Sequence, residues 1–185
     1  KNIELKLQDR WLQEGRATDS RIAILAIDDE SLQTIGHWPW DRNVHADLVH
    51  TLSQGNPAVI GFDITFPLPS DYKEEDQRFI QAVKDAGNVV LARYGVFDNF
   101  SQQGLIESLE LSEPFTQLSE VASGLGHLNT LPDQDGVVRK ALLQFKHDEE
   151  IIQSFSWVIA NKYTEHVGDT IQFDEGVLND FQQFH

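Results

Sequence analysis

With 185 residues, 40% apolar and 24% charged, the chain has the composition of a single globular domain able to bury its own core, not of a disordered polymer. Its 30 acidic and 14 basic residues leave a net charge of −16 without a basic stripe, which argues against nucleic acid as a partner and against adsorption to anionic headgroups. Cysteine is absent, so thiolate metal sites, disulfides and cysteine catalysis are excluded.

In chain order, the opening Lys1–Glu14 reads as an amphipathic helix, with Ile3, Leu7 and Trp11 at i, i+4 spacing and Gly15 as its stop. Arg21–Ile27 is a continuous isoleucine-rich run, expected as a strand buried on both faces, and it ends in Asp28, Asp29, Glu30 and Ser31. That polar cluster predicts a cap for a short helix, Ser31–Ile35, closed by Gly36. His37-Trp38-Pro39-Trp40-Asp41-Arg42 is a stiff aromatic loop leading to a helix at 44–54, which Gly55-Asn56-Pro57 terminates.

A second apolar strand, at 58–66, carries Asp63 near its end, and a Pro/Ser/Asp loop follows. A helix at 74–86 directs Phe79, Ile80 and Val83 inward and stops at Gly87-Asn88; a third strand occupies 89–97. Strands and helices thus alternate over the first hundred residues, which predicts right-handed crossovers around a parallel core. Beyond a polar excursion at 98–113, a weaker helix is expected at 115–125. Gly126–Asn129 and Val137–Phe145 read as strands of a hairpin turning at 132–136, a helix is expected at 151–163 and an edge strand at 169–173. The fold class is therefore α/β: a parallel or mixed central sheet with helices on both faces, plus a C-terminal antiparallel hairpin.

Asp28, Asp29 and Asp63 close apolar strands, and open α/β sheets bind ligands just outside such ends. If the strands are neighbours, the carboxylates can converge on an oxygen-seeking cation; otherwise they cap helices and order loops. Trp38 and Trp40 either pack as a lid or line a pocket, and Arg42 is expected to pair with Asp28 or Asp63. Asp133-Gln134-Asp135-Gly136 resembles the start of a calcium loop but lacks the closing Glu, so a turn without calcium is the reading. The seven histidines show no metal-binding spacing, and a nucleophile elbow, a P-loop and G-x-G-x-x-G are all missing, so no catalytic, metal or cofactor site is assigned. An enzymatic alternative is a divalent-metal hydrolase with Asp28, Asp29 and Asp63 as ligands and His45 as acid–base.

Several segments occur in a recognisable order: Arg21–Ile27 with Asp28-Asp29-Glu30-Ser31-Leu32, Gly36–Arg42 with His45, and Gly61-Phe62-Asp63-Ile64-Thr65-Phe66. Asp76 before a helix, Asn88–Leu91, and Gly126-His127-Leu128-Asn129 leading to Pro132–Arg139 continue the series. This order resembles the type-2 CHASE domain, a sensory module attached to cyclases and histidine kinases, over about residues 10–165. The resemblance implies a periplasmic or extracellular sensor without catalytic residues of its own. On that reading, residues 1–14 form a juxtamembrane helix and 15–185 one sensor domain. Absence of methionine, an initiator included, and of any run of 18 apolar residues agrees with membrane helices and a cytoplasmic output lying outside these residues. The expected partners are an unidentified small molecule or ion, the membrane through those flanking helices, and a second copy in a homodimer. The ligand-binding candidates are Asp28, Asp29, Trp38, Trp40, Arg42, His45, Asp63, Asn129 and Arg139.

Overall fold

The computed structural model describes residues 19–98, 106–132, 135–138 and 141–169. The expected helix at Lys1–Glu14, Asp133, Arg139 and all of the 169–173 strand except Asp169 lie outside the described residues. The chain forms two compact units, Lys1–Trp40 with Pro132–Arg139, and Asp41–Leu131 with Lys140–His185.

In the smaller unit, α1 spans Asp29–Ile35, two residues longer than expected because Asp28, not a later residue, takes the cap. Gly36 ends it at φ 126°, a conformation open to glycine. The run expected as a buried strand is overturned: residues 22–27 form no strand, and Ile22, Ile24 and Leu25 are 65%, 82% and 59% exposed. An apolar run states what a segment gains from burial, but a strand also needs a neighbour to complete its ladder.

The larger unit is built on a sheet. Helix α2 (Arg42–Ser53) buries His45, Ala46 and Val49 and leads through Gly55–Pro57 to β1 (Ile60–Phe62). Helix α3 (Lys73–Ala86) carries three acidic residues, Glu74, Glu75 and Asp76, in its first turn, where they suit the positive end of its dipole, and Gly87 closes it in the left-handed region. It returns the chain to β2 (Val89–Val96), which pairs parallel to β1 with Ile60 opposite Val89. The α2–β1–α3–β2 alternation is therefore as expected, with 60–62 and 89–96 adjacent and parallel. Strand β4 (Gly124–His127) lies parallel to the first half of β2, Arg93 opposite His127. Strand β3 (Glu110–Ser112) pairs antiparallel with the second half, Tyr94 opposite Ser112. The sheet is mixed.

One sheet face holds the main core: Ala46 and Val49 from α2, Ile60, Phe62, Val89 and Leu91 from the strands, Phe79 and Val83 from α3, with Phe66 and Phe115. Leu118, on the short helix α4 (Thr116–Ser119), completes it. Gly61, Gly124 and Gly126 leave the opposite face flat enough for α5 (Phe155–Val167), whose Ile159, Val158 and Phe155 sit over them. Strands β5 (Gln144–His147) and β6 (Glu150–Gln153) form the C-terminal antiparallel hairpin, with Phe145 opposite Ile152, both buried.

That hairpin is not the one drawn from the turn sequence. The 126–129 segment is spent on β2 rather than on 137–145, and Val137 and Val138 are exposed and outside any strand. A turn sequence marks where the chain can reverse; it does not say which strand the preceding segment pairs with. The reversal occurs instead at Asp148, at φ 50°, so the expected helix at 151–163 starts later, at Phe155, with Ser154 as its cap.

Candidate functional site

The first turn of α2 carries Arg42 and His45 to the C-terminal end of β1. The His45 ring lies between three phenyl rings, its centroid 6.1 Å from Phe62, 5.2 Å from Phe66 and 5.7 Å from Phe79. Burial, and secondarily the nearby Arg42 charge, push its pKa down to about 4, so the ring is neutral at pH 7. The Arg42 guanidinium stacks over Phe66 at 4.6 Å and donates to the Leu68 carbonyl at 3.1 Å. Its Nε stands 3.4 Å from Asp76 Oδ1, and Asp76 Oδ2 accepts from the Ser70 amide at 2.8 Å. Both partners are largely buried, their side chains 15% and 6% exposed.

Arg42 therefore pairs with Asp76, from the first turn of α3, rather than with the expected Asp28 or Asp63. The helix after β1 delivers a carboxylate already desolvated by the core, whereas Asp63, one residue past β1, is exposed to water. Asp76 is the member that side-chain reasoning did not assign a role; its signal was an acid three positions before the buried Phe79, on the same face of the helix.

The remaining candidates are dispersed over other roles. Asp28 caps α1, accepting from the Ser31 amide at 2.9 Å and its hydroxyl at 2.7 Å, and these bonds lower its pKa. Asp29 occupies the exposed first turn of α1. Trp38 and Trp40 meet edge to face at 5.7 Å; Trp40 is half-buried and donates from Nε1 to the Gly36 carbonyl at 2.8 Å, while Trp38 is largely exposed. Asn129 is buried and both ends of its amide engage Gly95: Oδ1 accepts from the Gly95 amide at 2.8 Å, and Nδ2 donates to its carbonyl at 2.7 Å. That side chain imitates a strand neighbour for β2. Among the described residues, no three His, Asp or Glu side chains are grouped as a metal ion would require.

A second arginine–histidine pair lies where β2 and β4 meet. Arg93 is the only charge inside the apolar strand β2, and its Nη1 donates to Glu113 at 2.9 Å and to Glu150 at 3.1 Å. Opposite it, His127 packs its ring 4.7 Å from Phe145. Burial, then the charge of Arg93, push its pKa down to about 4; the Leu143 carbonyl offsets a little of this. Neither ring nitrogen, nor Arg93 Nε, has a hydrogen bond of good geometry to a described residue. Neither Arg93 nor His127 was a binding candidate from the sequence, although His127 stands in the Gly126–Asn129 motif and a lone arginine inside an apolar strand is a usable signal.

The family model described as the CHASE2 domain matches residues 1–184, essentially the whole chain. No curated protein and no solved structure matches it.

Proposed function

We propose a receptor role for this chain, which belongs to the CHASE2 domain family, a family of extracytoplasmic sensory domains found in receptors. The chain is the ligand-sensing portion of a bacterial transmembrane receptor whose cytoplasmic output is an adenylate or diguanylate cyclase or a kinase. The match over residues 1–184 carries this reading. Two physical features support it. No helix among the described residues is long and apolar enough to cross a membrane, in keeping with a domain held by segments outside them. The polar groups at the end of β1, Arg42 and Asp76, are also held largely buried and paired beside the Phe66 ring, as a preformed binding site requires.

The ligand is a small molecule or ion recognised beside the Arg42–Asp76 pair at the end of β1, with Asp63 as a further candidate. Binding to one arrangement of the domain better than another shifts the receptor population and so its output. A homodimer is the natural carrier of such a shift across a membrane.

Two measurements test the reading. An alkaline phosphatase fusion after residue 185 of the membrane-bound parent protein, truncated there, is expected to be active outside the cytoplasm; activity confined to a cytoplasmic reporter at that position would sink the topology. In the full-length receptor, Arg42→Gln is expected to alter cyclase or kinase output more than fivefold while the domain still folds. Unchanged output with a folded domain would remove Arg42 from the sensing site.

A further inference from the structure

The β5–β6 hairpin and the head of α5 meet the sheet around the rung formed by Arg93 and His127, and β5 is tied besides to the 106–108 segment by backbone bonds from Lys146 to Ile106 and from Ser108 to Lys146. The ring of Phe145 stacks on His127 and also occupies the space left by Gly95, where an added Cβ would sit 2.6 Å from its Cζ. Glu150, the first residue of β6, reaches Arg93, and Ser154, the cap of α5, bridges to His127 through the backbone and donates from its amide to the Leu143 carbonyl at 2.7 Å. Three of these contacts, Phe145 on His127, Glu150 on Arg93 and the Ser154 bridge to His127, converge on the Arg93–His127 rung.

We propose that this rung is an acid-operated latch: a proton taken up by the His127 ring releases the β5–β6 hairpin and the first turn of α5 from the sheet.

The charges around the ring decide the direction. From β2 it faces Arg93, a fixed cation; the carboxylates near that cation, Glu113 after β3 and Glu150 on β6, are already bound to it at their solvent-facing end. From β5 it faces Phe145, while Lys146 is engaged by Glu107 and Glu149, and His147 by the Ser108 hydroxyl. The segment entering α5 presents Ser154. A protonated ring in that position sets a second buried cation beside Arg93, with only the Leu143 carbonyl placed to offset its charge and neither ring nitrogen in a hydrogen bond of good geometry. Moving the hairpin aside admits water and lets a carboxylate reach the imidazolium. The closed ring binds a proton at about pH 4 and a solvated one at about 6.5. Linkage then multiplies the open population about thirtyfold between pH 7.5 and pH 5. The latch is a property of the domain and stands whichever output the receptor drives.

Hydrogen exchange on the purified domain, corrected for intrinsic rates, tests this. Wild-type amides of β5, β6 and the first turn of α5 are expected to lose protection about thirtyfold between pH 7.5 and 5, relative to amides of β1 and α3. His127→Phe, which keeps an aromatic against Phe145, is expected to abolish the difference; His127→Gln provides a second, smaller variant, and His147→Gln should leave it intact. In the wild type, the His127 ring and the Phe145 amide should also titrate together by NMR, which needs no variant to fold. Hairpin protection independent of pH, loss shared equally with β1, or a response that persists in both His127 variants overturns the latch.

Discussion

His45 and His127 are carried neutral in the interior, on separate histidine–arginine clusters, and this gives the domain a defined response to acid. Each binds its proton at about pH 4 when folded and near 6.5 when unfolded, so the unfolded chain holds more protons throughout that interval. Their contribution is complete above pH 6.5, declines as pH falls towards 4, and changes no further below it. Each unit of difference is worth about 1.4 kcal/mol, so each histidine withdraws up to about 3 kcal/mol over the window. Urea unfolding at pH 7 and pH 4.5 should therefore show a large loss of stability, halved in His45→Phe. A flat profile would mean that both rings stay solvated.

The Arg42–Asp76 pair makes the second prediction at this scale. Removing one partner of a buried pair strands the other's charge, which costs about 3 kcal/mol or more. Asp76→Asn is expected to lose that much, since it also weakens the bond from the Ser70 amide. Asp63→Asn, on an exposed carboxylate, is expected to change stability by no more than about 0.5 kcal/mol. Paired denaturant curves decide this, and equal effects would contradict the assignment of Asp76 as Arg42's partner.

Among the elements, α5 depends most on what its neighbours lack. A Cβ on Gly126 would lie 2.4 Å from Phe155 Cα and 2.8 Å from its backbone nitrogen, contacts that no rotamer change relieves. A Cβ on Gly95 would instead meet the tip of the Phe145 ring, at 2.6 Å, which can tilt away. Gly126→Ala is thus expected to cost about 3 kcal/mol and displace α5, and Gly95→Ala about 1 kcal/mol. Thermal melts, with Trp157 fluorescence reporting on α5, will rank the two; the reverse order would show that α5 is free to shift. The same face explains why α5 has no fully buried residue: it lies on a floor of glycines and covers the sheet without sinking into it.

For the molecule as a whole, a net charge of −16 opposes compaction. Screening shortens the reach of that repulsion from about 30 Å at 0.01 M salt to about 8 Å at 0.15 M. Raising sodium chloride over this range should lift the melting temperature by several degrees at pH 7, and less at pH 4.5, where part of the carboxylate charge is gone. A fall with added salt would mean that ion pairs such as Arg93–Glu113 outweigh the repulsion.

The alternation of apolar runs with capped, glycine-stopped helices was enough to identify an α/β chain, to place β1, α3 and β2 within a few residues, and to pick Phe79 and Val83 as core. These follow from periodicity and stop signals, which act over a turn or two of chain. The succession of motifs from Arg21 to Arg139 carried the family. What only the tertiary structure decided was pairing. Asp76 lies 34 positions beyond Arg42, and the crossover through β1 and α3 brings it in ahead of the nearer Asp63. His127 is buried because β2 lies beside it and Phe145 closes over it, neither of which its own neighbours in sequence announce. Residues 22–27 are as apolar as β2, yet only β2 has strands on both sides. Hydrophobic pattern is a property of a segment, whereas a ladder, an ion pair and a desolvated ring each require a second segment to arrive, and that is settled by how the whole chain packs.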